Sequence, residues 1–441
     1  MANQHNNAAK PPMGIWMALA LVMGSMIGSG VFLLPASLAP LGWNSVIGWL
    51  ITVSGAMCVA AVFARLARAL PHAGGPYAYA KAAFGPGAGF AIAWAYWISM
   101  WVGNAAIATG AVSYLSELFP ALKATGWSVA ATLVVVWFFT LINLKGAKLA
   151  GQVQLVSTIV KLIPLIAVIG LAAYVLVSDG TSAIRPFRAE EINLAQISAA
   201  TILTLWAMLG LETATVPADK VRDPERTVPR ATLLGTGSAG IIYIFVCSAV
   251  VLMLPAAVTA ASDAPFAEFV GRFAGSDART LIAAFGALSA LGALNGWILV
   301  QGELPATMAR DGLFPRWMAK VGEGGVPVNA HLFTTGLLSI VLLLNTSKSM
   351  ANLFAFLILL ASAVVLVMYL GTAMAAAKLM ADGRLKRSGG FVALVIAAAT
   401  YALWTIYGAT QEARGVEALG WALALLAVGL PVYLLRKRRE E

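Results

Sequence analysis

Apolar runs of about 20 residues, the length that crosses the hydrocarbon core of a bilayer, recur along almost the whole chain. A segment in lipid must satisfy its own backbone, so it is either a helix or a strand of a closed barrel. Barrel strands need only about 10 residues of alternating polarity, and these runs are longer and uniformly apolar. With 60% hydrophobic and 11% charged residues in 441, the chain carries too little charge to cover a soluble surface of that size. Twelve spans are expected, at about 14–40, 45–68, 88–118, 126–143, 149–177, 194–218, 230–254, 278–303, 327–344, 351–378, 390–409 and 416–435. The fold class is therefore an all-α polytopic membrane protein. The first run is too long for a cleaved signal and lacks a small-residue cleavage site. The polar leader, residues 1–12, is expected to be disordered.

Charge sets the orientation. With both termini in the cytoplasm, most of the 29 lysines and arginines fall inside, among them Arg65, Arg68, Lys145, Lys148, Lys220, Arg222, Arg226, Arg230 and the tail at 436–441. That asymmetry is what the positive-inside rule requires. The net charge of +10 then reports topology and contact with anionic lipid, with no nucleic-acid partner implied. The two cysteines, Cys58 and Cys247, both fall in spans, so no disulfide framework follows. His5, His72 and His331 lie in or near loops without ligand spacing, so neither a metal nor a cofactor is expected. No polar stretch is long enough for a nucleotide-binding domain, and a Walker motif is absent.

Two spans are interrupted. The first contains "GSMIGSGVFLLP", Gly24 to Pro35, and the sixth contains "LWAMLGLETATVPADK", with Gly210, Glu212 and Pro217. Glycine costs about 1 kcal/mol and proline about 3 kcal/mol in a helix interior, so either neighbours pack closely there or the helices break. The two segments lie about five spans apart, and a repeat of five helices must insert upside down relative to its partner. Broken helices at matching places in two inverted halves point to the binding site of a secondary transporter. Unwinding at Gly28–Gly30 frees N–H groups at the start of a half-helix, where an anion is favoured. Unwinding near Met208–Gly210 frees carbonyls, which favour a cation. An α-amino acid carries one charge of each kind on a single carbon.

The stretches "GSGVFLLPASLA", "GGPYAYAKAAFGP", "YWISMWVGN", "LWAMLGLETATV", "DPERTVPRAT" and "GWILVQGELPATMARDGLFP" resemble the amino acid–polyamine–organocation transporters, in particular their basic amino acid/polyamine antiporter branch. The likeness covers nearly the whole chain. It implies a leucine-transporter-like arrangement: five helices over 13–178, an inverted five over 190–380, two more over 388–435 and a basic tail at 436–441. It also implies alternating-access exchange of a cationic amino acid for its decarboxylated amine, with arginine and agmatine the expected pair, by a homodimer in the bacterial inner membrane. By the same likeness Ser29 and Gly30 hold the substrate carboxylate, and the carbonyls near Trp206 and Leu209 its ammonium. Trp297 stacks on the cationic end, Asn104 bonds it, and Trp206 closes over it. Ser25, Ile27, Ser99, Met100 and Ala207 complete the binding set. Tyr96, Glu212 and Tyr369 form the layer that closes the cytoplasmic path.

The resemblance is imperfect. Ser25, Met100 and Ala207 stand where that branch carries asparagine, cysteine and serine, which weakens the case for arginine itself. Lys161, in "STIVKLIPLIAVIG", is a lone lysine inside a span, as in proton-coupled permeases and neutral or broad-range exchangers of the superfamily. A fixed ammonium there can brace the break at Gly28–Gly30 or carry a coupled proton. An enzyme would need paired acid and base groups at one depth, and Glu212 with Lys161 is the only ionisable pair clearly inside. A channel has no use for two broken helices around one small cavity.

Overall fold

The computed structural model describes residues 13–437, apart from 72–73, 146, 217, 219–220, 323–325 and 346–347; at 125, 147–156, 158–159 and 435–437 it describes backbone only. The leader at 1–12, His5, His72, Pro217, Lys220, the Lys148 side chain and most of the tail at 436–441 thus lie outside the described residues.

Helices are the only extended regular elements among the described residues, with one isolated bridge between Met13 and Val221. In order, α1 (Ile15–Met26) and α2 (Ser29–Leu38) form the first span, followed by α3 (Trp43–Ala69), α4 (Pro76–Phe84), α5 (Pro86–Leu118), α6 (Thr125–Leu144) and α7 (Ala147–Asp179). Next come α8 (Leu194–Met208), α9 (Pro224–Met253), the short α10 (Ala256–Ala260), α11 (Pro265–Ala274) and α12 (Ser276–Arg310). The chain closes with α13 (Val328–Leu344), α14 (Met350–Ala381), α15 (Gly389–Gln411) and α16 (Gly415–Lys437). Among the described residues, ten segments are long and apolar enough to cross a membrane. The two remaining apolar helices, α8 and α13, have 15 and 17 residues. The sixth span, expected over 194–218, is helical only as far as Met208 because the chain leaves the helix at Leu209.

Burial separates core from periphery. In their most apolar windows α5 is 94% and α14 is 83% buried, against 33% for α6 and α15 and 22% for α16. The peripheral helices turn large apolar side chains outward, among them Phe138, Val177, Leu403 and Leu423. In water such a surface would aggregate, and in a bilayer it faces lipid. The central α5 packs on α12 and α14, while α3 packs on α8 and α9. Small residues set these approaches, since a Cβ at Gly48 of α3 would lie 2.5 Å from Ala200 of α8.

Each end of the bundle carries a clasp. At one end the Tyr114 hydroxyl of α5 donates to the Phe32 carbonyl of α2 (2.8 Å) and accepts from the Phe266 N–H of α11 (3.3 Å). Nearby, Arg279 pairs with Glu117 (2.7 Å) and Glu268 (2.8 Å). At the other end Asp311, just past α12, accepts hydrogen bonds from the Tyr77 hydroxyl and from Lys81 (3.0 Å), both on α4. The Gly74 N–H donates to the Val216 carbonyl (3.1 Å), and Arg384 donates to the Ala82 carbonyl (2.6 Å). Together these bonds draw α4 across that mouth.

Candidate functional site

Both interruptions predicted from the sequence are breaks in the structure. The first helix stops at Met26, Ile27 is extended (φ −75°, ψ 92°), Gly28 is extended, and α2 restarts at Ser29. The break thus lies at Ile27–Gly28, slightly before the expected Gly28–Gly30. The other helix stops at Met208, Leu209 is extended (φ −66°, ψ 138°), and Gly210 takes φ +108°. That angle is costly for any residue with a Cβ.

The last carbonyls of a helix have no partner within it, and at the end of α1 two side chains supply one. Lys161 Nζ donates to the Gly24 carbonyl at 2.6 Å, and Trp297 Nε1 donates to the Ser25 carbonyl at 3.0 Å. Lys161 is fully buried, so its ammonium is held beside the break and does not reach for an interface. At the start of α2 nothing comparable happens: Gly28 offers no side-chain cap, and the buried Ser29 hydroxyl has no partner among the described residues.

The two breaks face one cavity, whose empty space, including the part open to solvent, is about 470 Å³. Its walls include Ser25, Ser29, Gly30, Ser99, Met100, Asn104, Trp206, Ala207, Leu209 and Trp297 from the expected binding set, with Tyr96 and Glu212 from the expected closing layer. Ile27 does not line it; its side chain is fully buried in the packed core. Tyr369 and Lys161 stand behind the wall, each one hydrogen bond from a break. The Ser99 hydroxyl donates to the Tyr96 carbonyl (2.8 Å), and the Trp206 carbonyl accepts from the Leu209 N–H (3.2 Å). The expected Trp206 carbonyl is therefore already engaged.

Trp206 is gripped by glycines. A Cβ at Gly30 would lie 2.8 Å from its Nε1, and one at Gly103 would lie 2.9 Å from its far ring edge. The indole can therefore lie across the cavity only because both positions lack side chains. Below it, Glu212 is fully buried. Its Oε2 accepts from the Tyr369 hydroxyl (3.1 Å) and the Gly210 N–H (3.3 Å), and the Tyr96 hydroxyl lies beside the same carboxylate.

Gly28, expected at the first break, also lines the cavity, and so do Met26, Gly103, Ile107 and Val365, which sequence reasoning did not name as binding residues. Gly103 carried a signal, since it lies inside the quoted "YWISMWVGN"; Ile107 and Val365 are ordinary apolar residues in apolar runs. His331 departs from expectation as well. It is fully buried one turn into α13, under Gly302, with neither ring nitrogen hydrogen-bonded among the described residues.

The clasp on α4 lies outside the spans and is electrostatically tuned. Burial pushes the Tyr77 phenol up to about 12. Burial alone would raise the Asp311 carboxyl, but hydrogen bonds from Tyr77 and Lys81 outweigh it and hold that group below the usual carboxylate range. The same bonds to Tyr77 and Asp311 raise the Lys81 ammonium.

A bundle of apolar helices with a cavity between two unwound breaks is the build of a membrane transporter, and sequence comparison agrees. The model of the amino acid permease family matches residues 13–427. The chain is 36% identical over 345 residues, 77% of each chain, to the cadaverine/lysine antiporter of Escherichia coli strain K12. It is 30% identical over 429 residues to the putrescine transporter PotE of the same strain, covering 95% of this chain and 96% of that one. Against the putrescine transporter PotE of Haemophilus influenzae the identity is 29% over 428 residues, covering 95% and 97%. These relatives are transporters and not enzymes, and the chain belongs to the amino acid permease family.

Proposed function

We propose that this protein is an alternating-access antiporter that exchanges a cationic amino acid for its decarboxylated amine. One observation carries the reading: the uncapped start of α2, with a Ser29 hydroxyl that has no partner among the described residues, and the end of α8 open onto the same cavity. The first favours a carboxylate and the second an ammonium. Trp297, tethered by its indole N–H, offers a ring face to the cationic end of the side chain. The relatives favour lysine with cadaverine over the arginine with agmatine expected from the sequence. Ser25, Met100 and Ala207 lean the same way, because they remove polar groups that a guanidinium would use.

On this reading the inverted repeats span 13–178 and 190–380, with the last two helices at 388–435. The protein works as a homodimer in a bacterial inner membrane with both termini cytoplasmic, and Tyr96, Glu212 and Tyr369 close the cytoplasmic path. A counterflow panel in proteoliposomes tests it: lysine, arginine, ornithine, cadaverine, agmatine, putrescine and neutral amino acids compete for labelled lysine. Inhibition by the matched amine and amino acid, and none by neutral residues of similar size, is the expected pattern. Equal inhibition by neutral amino acids contradicts it.

A second reading, a proton-coupled permease, rests on Lys161, which is fully buried and holds the Gly24 carbonyl beside the break. Lys161→Ala separates the two. Exchange that survives while proton-dependent net uptake disappears supports the permease; the absence of proton-dependent uptake in the native protein removes it.

A further inference from the structure

Behind the cavity wall a chain of buried hydrogen bonds runs from the backbone of α6 to Asn104. The Thr140 hydroxyl donates to the Val136 carbonyl at 2.9 Å. A hydroxyl has one proton, so Thr140 must accept in its 2.9 Å bond with Thr335. The Thr335 oxygen then accepts from Gln301 Nε2 at 3.2 Å, which turns Gln301 Oε1 toward Asn104 Nδ2 at 2.7 Å. Thr140, Thr335, Gln301 and Asn104 are all fully buried. A backbone carbonyl can only accept, so every bond in the chain points the same way. What remains at its end is Asn104 Oδ1, buried and without a partner among the described residues, on a residue that lines the cavity.

We propose that Gln301 and Thr335 are positioning residues that fix the amide of Asn104 with its oxygen toward the substrate, so that this end of the cavity selects side chains ending in donors only. This rests on the cationic-substrate reading above. An ammonium or guanidinium satisfies the oxygen. A neutral chain of similar length that ends in an acceptor leaves two acceptors facing each other, and a buried acceptor without a donor is costly. A site built around a hydrogen bond discriminates far more sharply than an apolar pocket. None of this selectivity is visible in the cavity lining, because neither Gln301 nor Thr335 touches the cavity.

The test uses the full-length protein in proteoliposomes, with labelled lysine counterflow and methionine sulfoxide, a neutral chain ending in an acceptor, as competitor. Gln301→Leu frees the Asn104 amide to turn. It is expected to raise the lysine KM about tenfold, the worth of one misdirected hydrogen bond to a charge, with little change in maximal rate. Methionine sulfoxide, inert against the native protein, becomes a competitor. Thr335→Val, which keeps the shape and removes the hydroxyl, shifts both readouts in the same direction, and Thr335→Ser recovers the discrimination. If Gln301→Leu does not reconstitute as a monodisperse protein, the two Thr335 variants decide. A native lysine KM with no response to methionine sulfoxide overturns the proposal, and so does a fall in maximal rate alone. If the native protein exchanges no amine-terminated substrate, it is the functional reading beneath that fails, and this inference falls with it.

Discussion

Gly210 rests against Ser25: a Cβ built at Gly210 would lie 3.0 Å from the Ser25 Cβ and 3.2 Å from the Met26 N. The two breaks therefore touch, one unwound turn seated on the end of the other helix. Gly210 also takes φ +108°, which costs roughly 1–3 kcal/mol in a residue with a side chain. Gly210→Ala is expected to cut the counterflow rate at least about tenfold and to lower the melting midpoint, since strain and overlap act together. A native rate in the alanine variant would mean that the breaks move independently.

Trp297 is held by its Nε1 bond to the Ser25 carbonyl. Trp297→Phe keeps a ring and loses the tether, and Trp297→Leu loses both. Cation–π attraction to a desolvated indole is worth about 2 kcal/mol, so the leucine variant should raise the KM for a cationic substrate by roughly 30-fold. The phenylalanine variant should fall between it and the native protein. Equal KM values for phenylalanine and leucine would show that the ring face is not used.

The Tyr369 hydroxyl is one of two donors to Glu212 Oε2. Tyr369→Phe removes a hydrogen bond worth about 1–3 kcal/mol in a buried setting. If the layer gates movement and does not bind substrate, the maximal exchange rate changes several-fold while KM stays within about twofold of native. A change confined to KM would move Tyr369 from gate to binding site.

The clasp at Asp311 carries a pH dependence whose sign follows from its shifts. The carboxyl is held below its ordinary range, so its contribution is present above that range and is lost as pH falls through the lowered value. The ammonium of Lys81 is raised, so its share is lost only as pH rises through that higher value. The pair is about 36–43% exposed, and solvent screening limits such a bridge to about 1 kcal/mol or less. The melting midpoint of Asp311→Asn should lie slightly below native at neutral pH, and the gap should close on acidification. A gap that widens in acid would reverse the assignment.

Much of the site was legible in the sequence because its signals are violations of local rules. Glycines, serines and a proline inside bilayer-length runs mark both breaks, and Glu212 and Lys161 are charges where hydrocarbon forbids them without partners. The partners themselves were not legible. That Lys161 serves the Gly24 carbonyl and Trp297 the Ser25 carbonyl depends on how α7 and α12 lie against α1, which no local pattern encodes. Ile27 stands at the first break with its side chain turned into the core, a direction that no local pattern encodes. Gln301 carries no local signal of its own, because its partners Asn104 and Thr335 come from other helices. The sixth span, expected over 194–218, keeps its α-helix only to Met208, at the break that Gly210 marks in the sequence.

The central claim is that one cavity between the two breaks takes a cationic amino acid in one direction and its amine in the other. Labelled lysine uptake into proteoliposomes preloaded with cadaverine, compared with empty ones at the same pH on both sides, tests it most directly. Uptake should require internal cadaverine and disappear in empty vesicles. Uptake of equal size into empty vesicles, driven by an imposed proton gradient, would contradict it.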